Sequence, residues 1–239
     1  MKRIAAVAAV AALGLVLLAV GAADAQDTQS KAAAIKQAAA KNQEALHHYT
    51  WIEKTEVSVK GEVKSTKIQQ CQYGPDGKVQ KTLLSEPPKE DDGGGHRRGR
   101  RHRVKEHVVE HKKEEMSEEM KAAGALVHQY LPPDPAKIQT AMGAGRISIV
   151  PGAGTAALTI SDYAKPGDSF VLTLDSAHKA MQKIDVNSYL EEPDDKVTLD
   201  IQMASLPDGT SYAGQILLSV PGDQIDVKIT NSNYQKLTQ

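Results

Sequence analysis

Four short segments of one kind divide the second half of the chain: Pro166-Gly167-Asp168, Pro193-Asp194-Asp195, Pro207-Asp208-Gly209 and Pro221-Gly222-Asp223. Proline presets a turn dihedral, glycine tolerates positive φ, and aspartate bonds its own backbone, so each segment marks a chain reversal. Between the reversals, apolar and polar residues alternate. Val197, Leu199, Ile201 and Met203 share one face, while Thr198, Asp200 and Gln202 share the other. Tyr212, Ile216, Leu218 and Val220 repeat the pattern, as do Ile225, Val227 and Ile229. A period of two with one apolar face predicts an antiparallel sheet covered on one side and wet on the other. The expected strands are 146–150, 155–163, 169–175, 181–190, 196–205, 211–220 and 224–231.

The first half supplies the cover. Residues 30–49 are rich in Ala, Lys, Gln and Glu, and Ile35, Ala38, Ala39, Asn42, Leu46 and Tyr49 recur at helical spacing. After Trp51 the pattern changes to strands, roughly 50–60 and 62–73, joined at Lys60-Gly61-Glu62. A second turn at Gly74-Pro75-Asp76-Gly77 precedes a strand near 79–84. Residues 85–103 carry Pro87-Pro88, Gly93-Gly94-Gly95 and a run of Arg and His, which predicts a mobile loop. Residues 104–131 are helical by pattern, with Val109, Met116, Met120, Ala123, Val127 and Tyr130 on one face. Pro132-Pro133 stops that helix, and Asp134-Pro135 reads as the N-cap and first residue of a short helix to about Met142. The architecture expected is α+β: a long curved antiparallel sheet, an unclosed β-barrel, with helices packed on the concave face.

Lys2 and Arg3, an apolar run from Ile4 to Val20 and the closing Ala23-Asp24-Ala25 have the form of a cleaved signal peptide. Residues 1–25 are therefore expected to be removed, leaving 26–239 as a single exported domain, periplasmic, or extracellular where the source lacks an outer membrane. The 40% hydrophobic content of the 239 residues excludes disorder throughout. The single cysteine, Cys71, excludes a disulfide scaffold and reads as a structural thiol. A net charge of −1 argues against a general polyanion binder. The oligomeric state is not legible.

The helix-to-strand junction Ala45-Leu46-His47-His48-Tyr49-Thr50-Trp51 is followed by a three-strand meander, a helical insertion and a long second meander. The second meander includes Val197-Thr198-Leu199-Asp200-Ile201, Leu206-Pro207-Asp208-Gly209-Thr210-Ser211-Tyr212, Ile225-Asp226-Val227-Lys228-Ile229 and Asn231-Ser232-Asn233-Tyr234. This arrangement resembles the LolA/LolB/RseB-like half-barrel superfamily of periplasmic proteins. The resemblance implies a helical lid over a cavity for acyl chains, and a carrier or chaperone of lipid, lipoprotein or another amphiphile. It implies no catalytic residues and no cofactor. Residues of the apolar faces that such a cavity would use are Trp51, Met116, Met120, Val127, Tyr130, Phe170, Leu199, Ile201, Ile216 and Leu218. With aromatic content of only 4%, the alternative is the same fold with a filled core, acting as a protein-interaction or sensor module. An apolar cavity of roughly 300 Å³ or more between helix and sheet would separate the two.

Other constellations point to less. His107-Val108-Val109-Glu110-His111 fits H-x-x-E-H, which on a helix places two imidazoles and a carboxylate on one face. Lys105, Lys112 and Lys113 crowd it with positive charge, so a solvated helix face is the simpler reading and a metal is not expected. The basic run contains Arg97, Arg98, Arg100, Arg101 and Arg103. It has no interleaved aromatic for base stacking, and export removes nucleic acid as a partner. An anionic membrane surface or an acidic protein is the contact such an arm would make. Gly152-Ala153-Gly154-Thr155-Ala156-Ala157 fits G-x-G-x-x-A, but a strand follows it where dinucleotide binding needs a helix. His47, near a helix end, reads as a cap compatible with the helix dipole.

Overall fold

A computed structural model describes residues 37, 40–85, 120, 122–131, 133–175 and 180–237. Ten strands form one sheet: β1 (Tyr49–Val59), β2 (Glu62–Tyr73), β3 (Val79–Ser85), β4 (Ile147–Pro151), β5 (Thr155–Ser161), β6 (Ser169–Asp175), β7 (Met181–Tyr189), β8 (Lys196–Ser205), β9 (Ser211–Val220) and β10 (Ile225–Lys236). Their order is β3-β2-β1-β10-β9-β8-β7-β6-β5-β4, every pair is antiparallel, and the edges β3 and β4 do not meet. The sheet is thus two meanders, β1–β3 and β4–β10, joined where β1 lies against β10. Register shifts interrupt five of the nine pairings. Each adds local twist, which bends the sheet into its open curve.

Helical residues are found at 40–46 (α1), 122–130 (α2) and Pro135–Gly143 (α3). Asp134 caps α3 as expected, its Oδ1 accepting from the Ala136 N–H at 2.8 Å, with Pro135 at the first helical position. The chain from β3 to β4 leaves one edge of the sheet and returns at the other, so it has to cross the sheet. Residues of α2 and α3 do so on the apolar face. Ala123, Leu126, Val127, Tyr130, Leu131, Ile138 and Ala141 are buried against side chains of β5 to β10 in one core.

Strand positions match the alternation closely. β5 and β6 bury every second residue, as does β8 as far as Ile201, and the intervening ones face outward. On that outer face Asp185 and Asp200 sit opposite each other, and Lys183 relieves their repulsion, bonding both at 2.7 and 2.5 Å. The largest difference from the expected bounds is β10, which runs on to Lys236. Its extension pairs with the start of β1, Tyr49 opposite Lys236, across a register shift where Asn233 takes a φ of 53°. Asparagine tolerates that left-handed conformation, so the strand bulges there instead of ending. β4 ends in Pro151 at a sheet edge, where the missing N–H costs no ladder bond.

Candidate functional site

The residues expected to line a cavity are mostly packed together. Val127, Tyr130, Phe170, Leu199, Ile201, Ile216 and Leu218 all belong to the helix–sheet core, with Met120 half-buried against it. Phe170 and Ile201 have no solvent exposure at all. A gap lined by Val127, Tyr130, Leu199 and Leu218 has room for about one water molecule. Met116 lies outside the described residues, as do Arg97, Arg98, Arg100, Arg101, Arg103, His107 and His111.

Within this core sits a polar knot. Asp168, 3% exposed, accepts at Oδ2 from the Tyr130 hydroxyl (2.5 Å) and from the Ala164 and Lys165 N–H groups (2.9 and 2.7 Å). Its Oδ1 accepts from the Tyr163 N–H at 2.6 Å. Tyr130 has one proton, given to Asp168, so Ser188 donates its own to the Tyr130 oxygen at 2.8 Å. Burial, reinforced by Asp168, pushes the Tyr130 hydroxyl well above the usual tyrosine range and keeps it a donor. The Tyr163 hydroxyl in turn accepts from the Asp134 N–H at 2.7 Å. One carboxylate therefore fixes the β5–β6 loop and the end of α2, and the adjoining Tyr163 ties that loop to the start of α3. Every bond is internal and satisfied, which is the chemistry of a structural pin.

Trp51 stands apart from this core. With Leu46, Cys71 and Tyr73 it forms a second buried cluster under α1, joined by half-buried Val79, Tyr212 and Tyr234. Trp51 stacks on Tyr234 at 5.5 Å and 8°, and Tyr212 lies 4.2 Å from Tyr234. His47, which directly follows the last residue of α1 as expected, stacks on Tyr73 at 4.5 Å. α1 is clipped in place by Asn42, whose side chain donates to the Ser211 carbonyl (2.9 Å) and accepts from the Ser211 N–H (2.7 Å), as a neighbouring strand would. Eight of the nine Trp, Phe and Tyr residues are thus concentrated in two places: five in this cluster or at its rim, and Tyr130, Tyr163 and Phe170 in the helix–sheet core; the ninth, Tyr189, lies under the Lys165 ammonium.

Between the two clusters the inner face turns polar. Glu53 on β1 and Asn231 on β10 are directly opposite and both buried. Glu53 accepts from the Lys81 ammonium at 2.5 Å across β2, and Asn231 Nδ2 donates to the Ala213 carbonyl at 2.9 Å. Burial, with Glu53 nearby, pushes the Cys71 thiol up to about 12. Cys71 is therefore expected to stay unmodified by a thiol-specific disulfide reagent in the native protein and to react on unfolding; fast native labelling would contradict this placement.

At the rim of the cluster, the Tyr49 hydroxyl donates to Asp208 Oδ2 at 2.6 Å, the Thr210 N–H donates to Oδ1, and Lys236 lies 3.6 Å away. Tyr49, then Thr210, hold the Asp208 carboxyl well below the usual carboxylate range. A depressed native pKa stabilises the fold above the unfolded value of about 4, and that contribution is lost as pH falls toward the native pKa. An Asp208→Asn variant is expected to show a shallower loss of stability than wild type below about pH 4, measured by urea unfolding against pH.

Sequence reasoning identified neither Asp168 as a core residue nor the Glu53–Asn231 pair. For the pair a signal existed: both residues fall in phase with an apolar alternation, Trp51-x-Glu53-x-Thr55-x-Val57 and Ile225-x-Val227-x-Ile229-x-Asn231. A polar residue in phase with a buried face is a buried polar group. Among the described residues no three or more His, Cys, Asp or Glu side chains are placed to hold a metal ion. No described helix is long and apolar enough to cross a membrane.

No known family and no curated protein matches the chain. Among solved structures it is similar to a DUF1329 family protein from Desulfovibrio piger ATCC 29098, at 11% identity and a TM-score of 0.39, over 86% of this chain and 90% of that one.

Proposed function

We propose that this chain is an exported, non-enzymatic binding protein of half-barrel architecture, working as a protein-interaction or sensor module with a filled core. The observation that carries this reading is the packing of α2 and α3 onto the sheet. Side chains expected to surround a ligand are in contact with one another, and the gap beside them has room for about one water molecule. The partner surface in this reading is the basic arm from Arg97 to Arg103, offered to an acidic protein or an anionic membrane surface. The second reading is a carrier of lipid, lipoprotein or another amphiphile, supported by the open curved sheet and its helical cover.

Native mass spectrometry of the exported protein, followed by solvent extraction, tests the choice. The filled-core reading expects the bare mass of a chain starting at Gln26 and no acyl chains in the extract. A retained acyl-chain ligand would establish the carrier instead.

A further inference from the structure

Among the described residues, two buried polar side-chain atoms have no hydrogen-bond partner: Trp51 Nε1 and Asn231 Oδ1. Trp51 is 2% exposed and Asn231 6%. An unmet donor or acceptor at such depth is costly, so native proteins rarely keep one without a use. The residues that carry them, Trp51 and Asn231, line one and the same crevice, with Leu46, Tyr73, Tyr212 and Tyr234. Asn231 cannot rotate its amide to hide the oxygen, because Nδ2 is held by the Ala213 carbonyl. Tyr212 and Tyr234 are only half-buried and form the solvent-facing side.

We propose that this crevice is a binding subsite for a hydroxyl group of a neutral polyol or saccharide. The Trp51 N–H can only donate and the Asn231 oxygen can only accept, so an occupant that meets both accepts one hydrogen bond and donates another. An ammonium has no acceptor, and an ionised carboxylate has no proton to give Asn231. A hydroxyl does both, and it fits a crevice with room for about one water molecule. The tyrosine rings offer apolar surface to the carbon that carries it.

Trp51 is the only tryptophan, so the full chain gives a single indole N–H signal in a ¹H–¹⁵N spectrum, and that signal reports this site alone. Glycerol and glucose are titrated separately, with sodium acetate and tetramethylammonium chloride as controls. A saturable shift is expected with one or both polyols, half-complete in roughly the millimolar range, and none with the ions. Glycerol acting alone identifies a glycerol-type head, and glucose acting alone a sugar. Asn231→Leu, checked for folding by circular dichroism, is expected to weaken the response about tenfold. Should that variant not fold, the wild-type titration decides. A signal unmoved by both polyols, moved equally by the ions, or equally responsive in a folded Asn231→Leu protein would overturn the proposal.

Discussion

Replacing Asp168 by alanine is expected to cost about 3–5 kcal/mol of stability, read from the urea midpoint at unchanged slope. The substitution removes the acceptor of four hydrogen bonds at once, from the Tyr130 hydroxyl and the N–H groups of Tyr163, Ala164 and Lys165. Several of those donors would be left buried without a partner. Asp168→Asn keeps an oxygen on the site but turns an NH₂ group toward donors, so its cost should fall between wild type and alanine. Tyr130→Phe removes one donor and leaves the backbone bonds intact, and it should cost least. An Asp168→Ala protein as stable as wild type would mean that the loop is held by something else.

The second large effect is expected at Phe170. Its ring has no exposure, lies 4.6 Å from Tyr163 and 6.2 Å from Tyr130, and stands between Ile160 and Val186 on the neighbouring strands. Truncation to alanine is expected to destabilise by about 3–5 kcal/mol, because a close-packed core relaxes only partly into the space. In a core that already enclosed an acyl-sized cavity the loss would be smaller, so the measurement bears on function as well as stability. Leu83→Ala, on the exposed edge strand β3, is the control and should fall within about 0.5 kcal/mol of wild type. Asp168 and Phe170 share Tyr130 and Tyr163 as neighbours, so the double variant should cost less than the sum.

The sheet was legible because its signals are local. Alternation placed the apolar face of β5, β6 and β8, and Asp134-Pro135 announced α3 from two adjacent residues. What could not be read depends on partners distant in sequence. Pro166-Gly167-Asp168 and Pro221-Gly222-Asp223 are the same tripeptide, yet Asp168 is buried beneath Tyr130 and Asp223 is exposed. Nothing within either segment distinguishes them; the helix that arrives above one of them does. Trp51 shows the same limit. Its burial followed from its pattern, but its separation from the helix–sheet core follows from α1, which Asn42 fastens to Ser211. Low aromatic content likewise hid its own distribution, since an average cannot show that five rings meet in one place.

The join between β1 and β10 has a consequence for how the chain reaches this state. β4 to β9 each pair with the next strand along the chain, so the run from β4 to β10 can assemble as the chain emerges, one hairpin at a time. β1, made first of the ten, finds its inner neighbour only in β10, made last. Until then the first meander has no lasting place to dock, and the closure entropy of the whole intervening chain opposes its docking. Loss of the residues that form β10 would therefore release the opposite end of the molecule, freeing Trp51 and its aromatic neighbours while the hairpins from β4 to β9 could still form.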